Sequence, residues 1–425
     1  MLDIVFISAD DMSYGSLGMS GCEIPDITPN IDKLGDDGVF FTNAHTTVGL
    51  CQPSRSVWMT GLYPWNNGAL GFNCIKHDVE TLPNILKKRG YCTGIIGKAE
   101  HLCPHSSFNW NQIILGYDKL LGHGKNIESY YNLSKAFFAS APSPFFLMIN
   151  SHYPHRPFEK NTRYSPDRVR VPEFLPDIPE VRMEIAQYYE GVKRCDITVG
   201  EIVRALKETG RYENTLIIFT SDHGMSFPFV KANCYHFSSK IPLIWHCHDK
   251  LFSKVSNTFV GGVDIMPTML DFLGLKKPKM DGGSYIETLK KNASFKDNVY
   301  TCLCHLWTNR NFQTRSVHDD KYCYIINFWA DGKQQFIECG CNDESASMAG
   351  ITRTDRKLHD KLRFREPEEL YDIKSDPAAR NNIINTNIMI RNKMRNMMYE
   401  YASKNNDIIT VNYLKPKKSC SIKIF

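Results

Sequence analysis

Four apolar runs of strand length are spaced along the first half of the chain. They cover residues 2–8, 92–98, 144–152 and 215–224. Continuous apolar runs of this length predict strands that are covered on both faces. Helical patterns lie between them at residues 81–90, which end on a glycine stop, and at residues 199–210. Alternating strands and helices predict a mostly parallel sheet with helices on both sides.

The pattern changes after about residue 300. One more helix is predicted at residues 261–275, before this change, and shorter strand-like runs follow it, with residues 315–329 among them. A helical pattern at residues 385–404 comes last. We therefore predict an α/β domain at residues 1–305, built on a large mixed sheet, and a smaller C-terminal α+β subdomain at residues 306–425 that contains an antiparallel sheet.

Composition and charge are those of an ordinary soluble globular protein. Of the 425 residues, 42% are hydrophobic and 23% are charged. The net charge of +5 is slight for this length, so a nucleic-acid partner is not expected. The basic tail at residues 415–423 is expected to be a solvated end. The longest apolar runs, such as residues 144–150, are too short to span a bilayer, so no membrane association is expected.

No secretory signal is visible, because MLDIVFISADD has no basic lead and its apolar run stops at two aspartates. A cytoplasmic location is therefore expected, with the fourteen cysteines mostly reduced. Two C-x-C pairs, Cys302 with Cys304 and Cys339 with Cys341, lack the spacing of a zinc ribbon. Both pairs are expected to be buried or incidental.

Two predicted strands end in charged pairs, Asp10 with Asp11 and Asp222 with His223. Ligand sites in open α/β sheets lie at the carboxyl ends of strands. Adjacent carboxylates repel unless a cation lies between them, and oxygen ligands favour calcium or magnesium. His223 keeps manganese or zinc in consideration. Helix caps or turn residues are the alternative reading, but two pairs at equivalent strand ends favour a metal site.

The stretch CQPSRSVWMTG, residues 51–61, predicts a helix that begins near Cys51 and ends on a glycine. Helix N-termini attract anions, and Arg55, one turn in, offers two hydrogen bonds to a tetrahedral oxyanion. A cysteine phosphatase would share these features. A thiolate, however, is a poor partner for a hard cation among carboxylates. Oxidation of Cys51 to an aldehyde would resolve this conflict, because its hydrate presents two hydroxyls.

C-x-P-S-R followed by M-T-G resembles the signature of the type I sulfatases, whose cysteine becomes formylglycine. Further segments resemble that family in the same order, namely residues 10–12, 28–45, 94–102, 151–158, 220–224 and 369–383. Four segments are most similar to the heparan N-sulfatase (sulfamidase) branch, namely residues 94–98, 227–235, 315–322 and 369–372. The resemblance implies the sulfatase-like fold of the alkaline phosphatase superfamily. It also implies hydrolysis of sulfate esters or sulfamates of a glycosaminoglycan-type sugar.

The resemblance also implies a role for each site residue. Asp10, Asp11, Asp222 and His223 would hold one divalent metal, calcium foremost and magnesium or manganese otherwise, together with the modified Cys51. A formylglycine-generating or anaerobic sulfatase-maturating enzyme would be the partner that modifies Cys51.

The remaining implied roles concern the sulfate group and proton transfer. Arg55 would brace the formylglycine hydrate and the sulfate, while Lys98 and Lys231 would bind sulfate oxygens. His101 and His152 would transfer protons. His155 is a second choice after His152, and structural roles are favoured for three other polar residues, Asn73, His77 and His305.

Three features depart from the family pattern. The last metal ligand is usually asparagine and here is His223, the spacing from Lys98 to His101 is one residue longer, and Lys231 stands where the sulfamidase branch tends to carry arginine. His223 also suits phosphonate monoester and phosphodiester hydrolases on the same scaffold, which is the first alternative. A non-catalytic glycan-binding relative, with Cys51 unmodified, is the second.

Overall fold

The structure is a computed structural model that describes residues 1–114, 124–251, 254–306, 310–337 and 345–415. The pair Cys339 and Cys341 and most of the basic tail lie outside the described residues. Within the described part of the chain, no helix is long and apolar enough to cross a membrane.

An eight-stranded sheet forms the centre of the larger part of the molecule. Its strands are β1 (Asp3–Asp10), β2 (Val39–His45), β3 (Cys92–Ile96), β4 (Gln112–Ile114), β5 (Phe145–Pro154), β6 (Thr215–Ser221), β7 (Leu243–Cys247) and β8 (Lys254–Gly261). The strand order is β4-β3-β5-β1-β6-β7-β2-β8. All neighbours are parallel except that β7 runs antiparallel to β6 and β2. The carboxyl ends of β1 and β6 therefore meet at one edge.

Helices cover both faces of this sheet because its central strands are apolar on both sides. The helices are α1 (Pro29–Asp36), α2 (Cys51–Thr60), α3 (Pro64–Asn67), α4 (Leu82–Lys88), α5 (His105–Phe108), α6 (Ile127–Ser140), α7 (Pro179–Glu208), α8 (His236–Ser239), α9 (Ile265–Phe272) and α10 (Ile286–Lys291). Along β1, Val5 and Ile7 join one buried cluster, and Ile4 and Phe6 join another. This alternation places the two clusters on opposite faces of the sheet.

A second, four-stranded antiparallel sheet has the order β12-β11-β10-β9. It comprises β9 (Asn298–His305), β10 (Asn311–Asp319), β11 (Tyr322–Asn327) and β12 (Glu368–Asp372), with α11 (Ala346–Thr354), α12 (Arg356–Arg363), α13 (Ile388–Lys404) and α14 (Ile408–Leu414). The predicted fold class is confirmed. The boundary at residue 305 stays a prediction, and the second sheet already begins with β9.

Among the cysteines of the described residues, one pair forms a disulfide and nine are free. Cys74 and Cys103 are joined by a disulfide, which the scattered spacing in sequence did not indicate. Cys302 and Cys304 are fully buried in β9, as expected for that pair.

Candidate active site

The carboxyl ends of β1 and β6 bring together the two charged pairs found in the sequence. Asp10 is the last residue of β1, while Asp11 and Asp222 each follow a strand directly, and all three are fully buried. The Asp11 N–H donates to Asp222 Oδ1 at 3.0 Å. Asp11 has a φ of +70°, a left-handed conformation that is costly for a non-glycine residue. Such strain is concentrated at functional sites, where the surrounding structure enforces it.

Helix α2 points its first residue, Cys51, at this edge. Cys51 Sγ lies 3.2 Å from His223 Nε2. One turn on, Ser54 Oγ donates to the carbonyl oxygen of Asp222 at 2.8 Å. The helix ends at Gly61, whose φ of +64° suits a left-handed cap. The start of α2 is thus tied to the end of β6.

Arg55 is wholly buried and holds this edge of the sheet together. Its Nη1 donates to Ser8 Oγ at 2.8 Å and to Asn150 Oδ1 at 2.7 Å. Its Nη2 donates to Asp222 Oδ2 at 2.9 Å. Arg55 Nε is buried without a hydrogen-bond partner. The guanidinium therefore orients a carboxylate of the site and keeps one donor for a further oxygen.

Two buried lysines pair with the adjacent carboxylates at the end of β1, Asp10 and Asp11. Lys98 Nζ lies 2.6 Å from Asp10 Oδ2, and Lys231 Nζ donates to both oxygens of Asp11, at 2.8 and 3.0 Å. Burial alone would raise the pKa of Asp10, but the charges led by Lys98 hold it well below its ordinary value. Burial would likewise raise the pKa of Asp11, but the charges led by Lys231 lower it below its ordinary value. Both carboxylates are therefore held ionised.

The arrangement of these donors fits a divalent cation. One ligand atom each from Asp10, Cys51, Asp222 and His223 lie within 4.8 Å of one another. Asp10 Oδ1 is buried without a hydrogen-bond partner. Burial, followed by the charge of Asp10, raises the pKa of Asp222. A cation would satisfy the orphaned oxygen and relieve this repulsion, and the carboxylate oxygens suit calcium or magnesium.

A second group of possible ligands consists of Asp10, Asp11, Cys51 and His155. His155 Nε2 lies 3.8 Å from Asp11 Oδ2. The sequence ranked His152 ahead of His155, but the structure brings His155 into this group. Its position directly after β5, at the carboxyl end of a parallel strand, is the signal that could have identified it.

His101 and His152 lie around the same edge of the sheet, and each has a buried Nδ1 without a hydrogen-bond partner. The His152 and His155 rings are 4.9 Å apart. Burial and then Lys98 lower the pKa of His152 to about 3, and burial and then Lys231 lower that of His155 to about 4. Burial, reinforced by Lys98, also sets the pKa of His101 well below its ordinary value. The three imidazoles are kept neutral.

The Cys51 side chain is a protonated thiol in this environment. Burial raises its pKa well above the ordinary value, and the neighbouring carboxylates add to the effect while Lys231 opposes it. A thiolate nucleophile needs a lowered pKa and an electropositive setting. The geometry therefore disfavours a cysteine phosphatase.

Three other polar residues were considered in the sequence, and their surroundings differ from those of the groups above. Asn73 reaches the site through its backbone oxygen, which accepts a hydrogen bond from Gln52. His77 is exposed, and His305 is half-buried at the end of β9.

The fold and the site together define an α/β protein with a candidate metal-binding set of carboxylates beside a helix N-terminus. Residues 3–275 match the family model described as Sulfatase. The chain belongs to the sulfatase family and is a sulfuric ester hydrolase.

Two relatives illustrate the similarity in sequence. The chain is 28% identical to an ulvan-active sulfatase of Formosa agariphila over 430 residues, which cover 97% of this chain and 82% of the relative. It is 31% identical to the human N-sulphoglucosamine sulphohydrolase over 309 residues, which cover 64% of this chain and 61% of that protein.

Solved structures agree in fold at lower identity. The sulfatase yidJ from Bacteroides fragilis superposes with a TM-score of 0.76 at 21% identity, covering 98% of both chains. The phosphonate monoester hydrolase of Agrobacterium radiobacter gives a TM-score of 0.74 at 19% identity, covering 95% of this chain and 96% of the other.

Proposed function

We propose that this protein hydrolyses sulfate esters or sulfamates of a sulfated sugar through a formylglycine made from Cys51. The carrying observation is the position of Cys51, at the start of α2 and 3.2 Å from His223 among three buried carboxylates. An unmodified thiol suits this environment poorly, because its pKa is raised and sulfur is a soft ligand. An oxygen nucleophile at the same position would suit both the cation and an attack on sulfur.

A calcium ion is proposed for the carboxylate set, with magnesium or manganese as alternatives. The ion would supply Lewis-acid polarisation of the sulfate and a lowered pKa for the attacking hydroxyl. Asp10, Asp11, Asp222 and His223 would hold it. Arg55 would keep Asp222 oriented through Nη2 and direct its unpartnered Nε toward a substrate or hydrate oxygen.

Lys98 and Lys231 are proposed to stabilise the charge that develops on the sulfate oxygens. Lys98 contacts Asp10 and Lys231 contacts Asp11, so both cations are already fixed beside the carboxylate set. Preorganised charges in a buried site need no reorganisation during the reaction. Proton transfer is assigned to the histidine set of His101, His152 and His155: a neutral imidazole would take the proton of the attacking hydroxyl and then pass a proton to the departing oxygen or nitrogen. His155 is our first candidate because its Nε2 lies 3.8 Å from Asp11 Oδ2.

The names of two relatives support the proposal of a sugar substrate, since one is an ulvan-active sulfatase and the other an N-sulphoglucosamine sulphohydrolase. A sulfated glucosamine is proposed as the first substrate to test. The cytoplasmic location and the maturating enzyme remain predictions from sequence.

A second candidate function is hydrolysis of phosphonate monoesters or phosphodiesters. Two observations favour it: His223 as the last ligand and the similarity in fold to a phosphonate monoester hydrolase. A panel of N-sulfoglucosamine, glucosamine 6-sulfate, an aryl sulfate and an aryl phosphodiester separates the two. Sulfate release with weak diester turnover supports the main proposal. Strong diester turnover without sulfate release contradicts it.

Mass spectrometry of the peptide that contains Cys51, from protein isolated from its native cell, tests the modification. We expect the mass of formylglycine. An unmodified thiol throughout, together with saccharide binding but no turnover, would instead identify a non-catalytic glycan-binding relative.

A further inference from the structure

A loop at residues 71–76 lies against the start of the helix that carries Cys51. Gln52, the next residue after Cys51, is 5% exposed, and its Nε2 donates to the carbonyl oxygen of Asn73 at 2.9 Å. The loop therefore borders the end of α2 at which the nucleophile is proposed.

Two further contacts fix this loop. The Cys74–Cys103 disulfide links it to the segment after Lys98 and His101, and the Ile75 N–H donates to the Cys103 carbonyl at 2.9 Å. At Gly71, a Cβ would lie 3.0 Å from both Cβ and the carbonyl oxygen of His305, so the backbone approaches β9 closely. A loop held at three points is preorganised to present its side chains.

Phe72 is the large apolar side chain that this loop exposes. It is 38% exposed, and its ring meets the His101 ring edge-on, with centroids 5.7 Å apart and planes at 87°. His101 lies in the single helical turn that follows Lys98, whose Nζ contacts Asp10. Asn73, which follows Phe72 in the loop, has a buried Oδ1 without a hydrogen-bond partner. An exposed ring beside an unmet acceptor, next to the reacting centre, has the composition of a ligand-binding surface.

We propose that Phe72 determines specificity by stacking on the apolar face of a pyranose ring in the leaving group. This inference rests on the proposed function and adds the subsite that recognises the sugar. An aromatic ring offers a rigid apolar surface at low entropic cost, whereas an acyclic alkyl leaving group has no ring face to cover it. Phe72 is therefore a residue for binding the sugar, outside the catalytic machinery.

The test compares Phe72→Ala and Phe72→Tyr with the matched control Phe364→Ala, whose ring is 39% exposed in the smaller subdomain. Each variant is assayed on N-sulfoglucosamine and on a small acyclic alkyl sulfate. In Phe72→Ala we expect KM for the sugar to rise about three- to tenfold, from the strength of a ring contact. Any loss on the alkyl sulfate, through the contact of Phe72 with His101, should be smaller than the loss on the sugar. Phe72→Tyr should restore the sugar KM, and Phe364→Ala should match the unaltered protein.

An unchanged sugar KM in Phe72→Ala would overturn the inference, as would an equal loss on both substrates. Calorimetric binding of N-sulfoglucosamine to Cys51→Ala, with and without Phe72→Ala, separates this inference from the proposed function. Absent turnover in the unaltered protein with Phe72-dependent binding overturns the hydrolysis and supports the subsite. Turnover combined with binding that is the same with and without Phe72→Ala supports the hydrolysis and overturns the subsite. Absence of both turnover and binding overturns the hydrolysis and the subsite.

Discussion

Arg55 Nη2 lies 2.9 Å from Asp222 Oδ2, and both side chains are wholly buried. A buried ion pair is costly to break from one side, because the remaining charge is left uncompensated. The arginine of the C-x-P-S-R motif thus supports the carboxylates of the candidate metal site and is also a candidate substrate contact.

Substitution of Arg55 should destabilise the fold. We expect Arg55→Ala to lower the free energy of unfolding by about 3–5 kcal/mol, measured by urea denaturation. The stability of Arg55→Lys should lie between that of Arg55→Ala and that of the unaltered protein. Lysine keeps the positive charge but lacks the guanidinium that donates to Ser8, Asn150 and Asp222. The control is Lys33→Ala in an exposed pair with Asp37, for which less than about 1 kcal/mol is expected. Equal stabilities of Arg55→Ala and the control would contradict this.

Removal of either buried lysine should slow catalysis while the substrate still enters. We expect Lys98→Ala and Lys231→Ala each to reduce kcat for the most rapidly hydrolysed substrate by roughly 100-fold, as for loss of a group that stabilises transition-state charge. Lys231→Arg should retain more activity than Lys231→Ala because the charge persists. Lys88, an exposed lysine paired with Glu80, provides the control through Lys88→Ala. Unchanged kcat in both buried variants would show that these lysines serve only to neutralise Asp10 and Asp11.

His155 should matter more for proton transfer than His152. We expect His155→Ala to lower kcat roughly 100- to 10,000-fold and His152→Ala to lower it less. The reason is the distance of 3.8 Å from His155 Nε2 to Asp11 Oδ2, within a group of residues that could hold one metal ion. Substrates with leaving groups of low pKa need less proton donation and should be less affected by His155→Ala. A larger loss of kcat in His152→Ala than in His155→Ala would instead support the sequence-based choice of His152.

Chelation should lower both activity and thermal stability. A cation that binds the folded state alone stabilises it by about 2.7 kcal/mol at one hundred times its dissociation constant. We expect chelator to lower Tm and calcium to restore it, followed by differential scanning fluorimetry. Asp11→Asn should respond less, because one ligand charge is lost. If neither chelator nor added calcium, magnesium or manganese changed Tm, the result would argue against a metal centre.

Acid should destabilise the fold through His318. Burial, aided by His236, lowers the pKa of His318 to about 3, and the ring stacks on His45 at 5.4 Å. The unfolded chain binds this proton at about pH 6.5. Stability is therefore complete above about pH 6.5 and falls between there and about pH 3, because the unfolded state binds more protons.

At pH 4 the predicted loss from His318 is roughly 3 kcal/mol, from the interval between the unfolded pKa of about 6.5 and pH 4 at about 1.4 kcal/mol per pH unit. Urea denaturation of His318→Asn across pH 4–7 should show a shallower slope than the unaltered protein. The control is His77→Asn, the same substitution at an exposed histidine. Parallel slopes in His318→Asn and the unaltered protein would refute the assignment.

Local patterns in the sequence were sufficient for several parts of the molecule. The apolar run at residues 2–8 became β1 (Asp3–Asp10), and the helix predicted from Cys51 became α2 (Cys51–Thr60). The pattern at residues 199–210 marked only the last part of the 30-residue helix α7 (Pro179–Glu208). Boundaries shift where packing, rather than periodicity, ends an element.

Sequence by itself determined the kinds of residues available at the site: acids at the ends of strands, a cysteine at a helix start and an arginine one turn later. These features are local, because strand ends and helix starts are set by neighbouring residues. Only the tertiary structure decided which groups meet. It brought His155 into the ligand group, joined Cys74 to Cys103, and placed Phe72 beside His101. Such contacts depend on strand order and loop packing, which bring together residues that no short stretch of sequence relates.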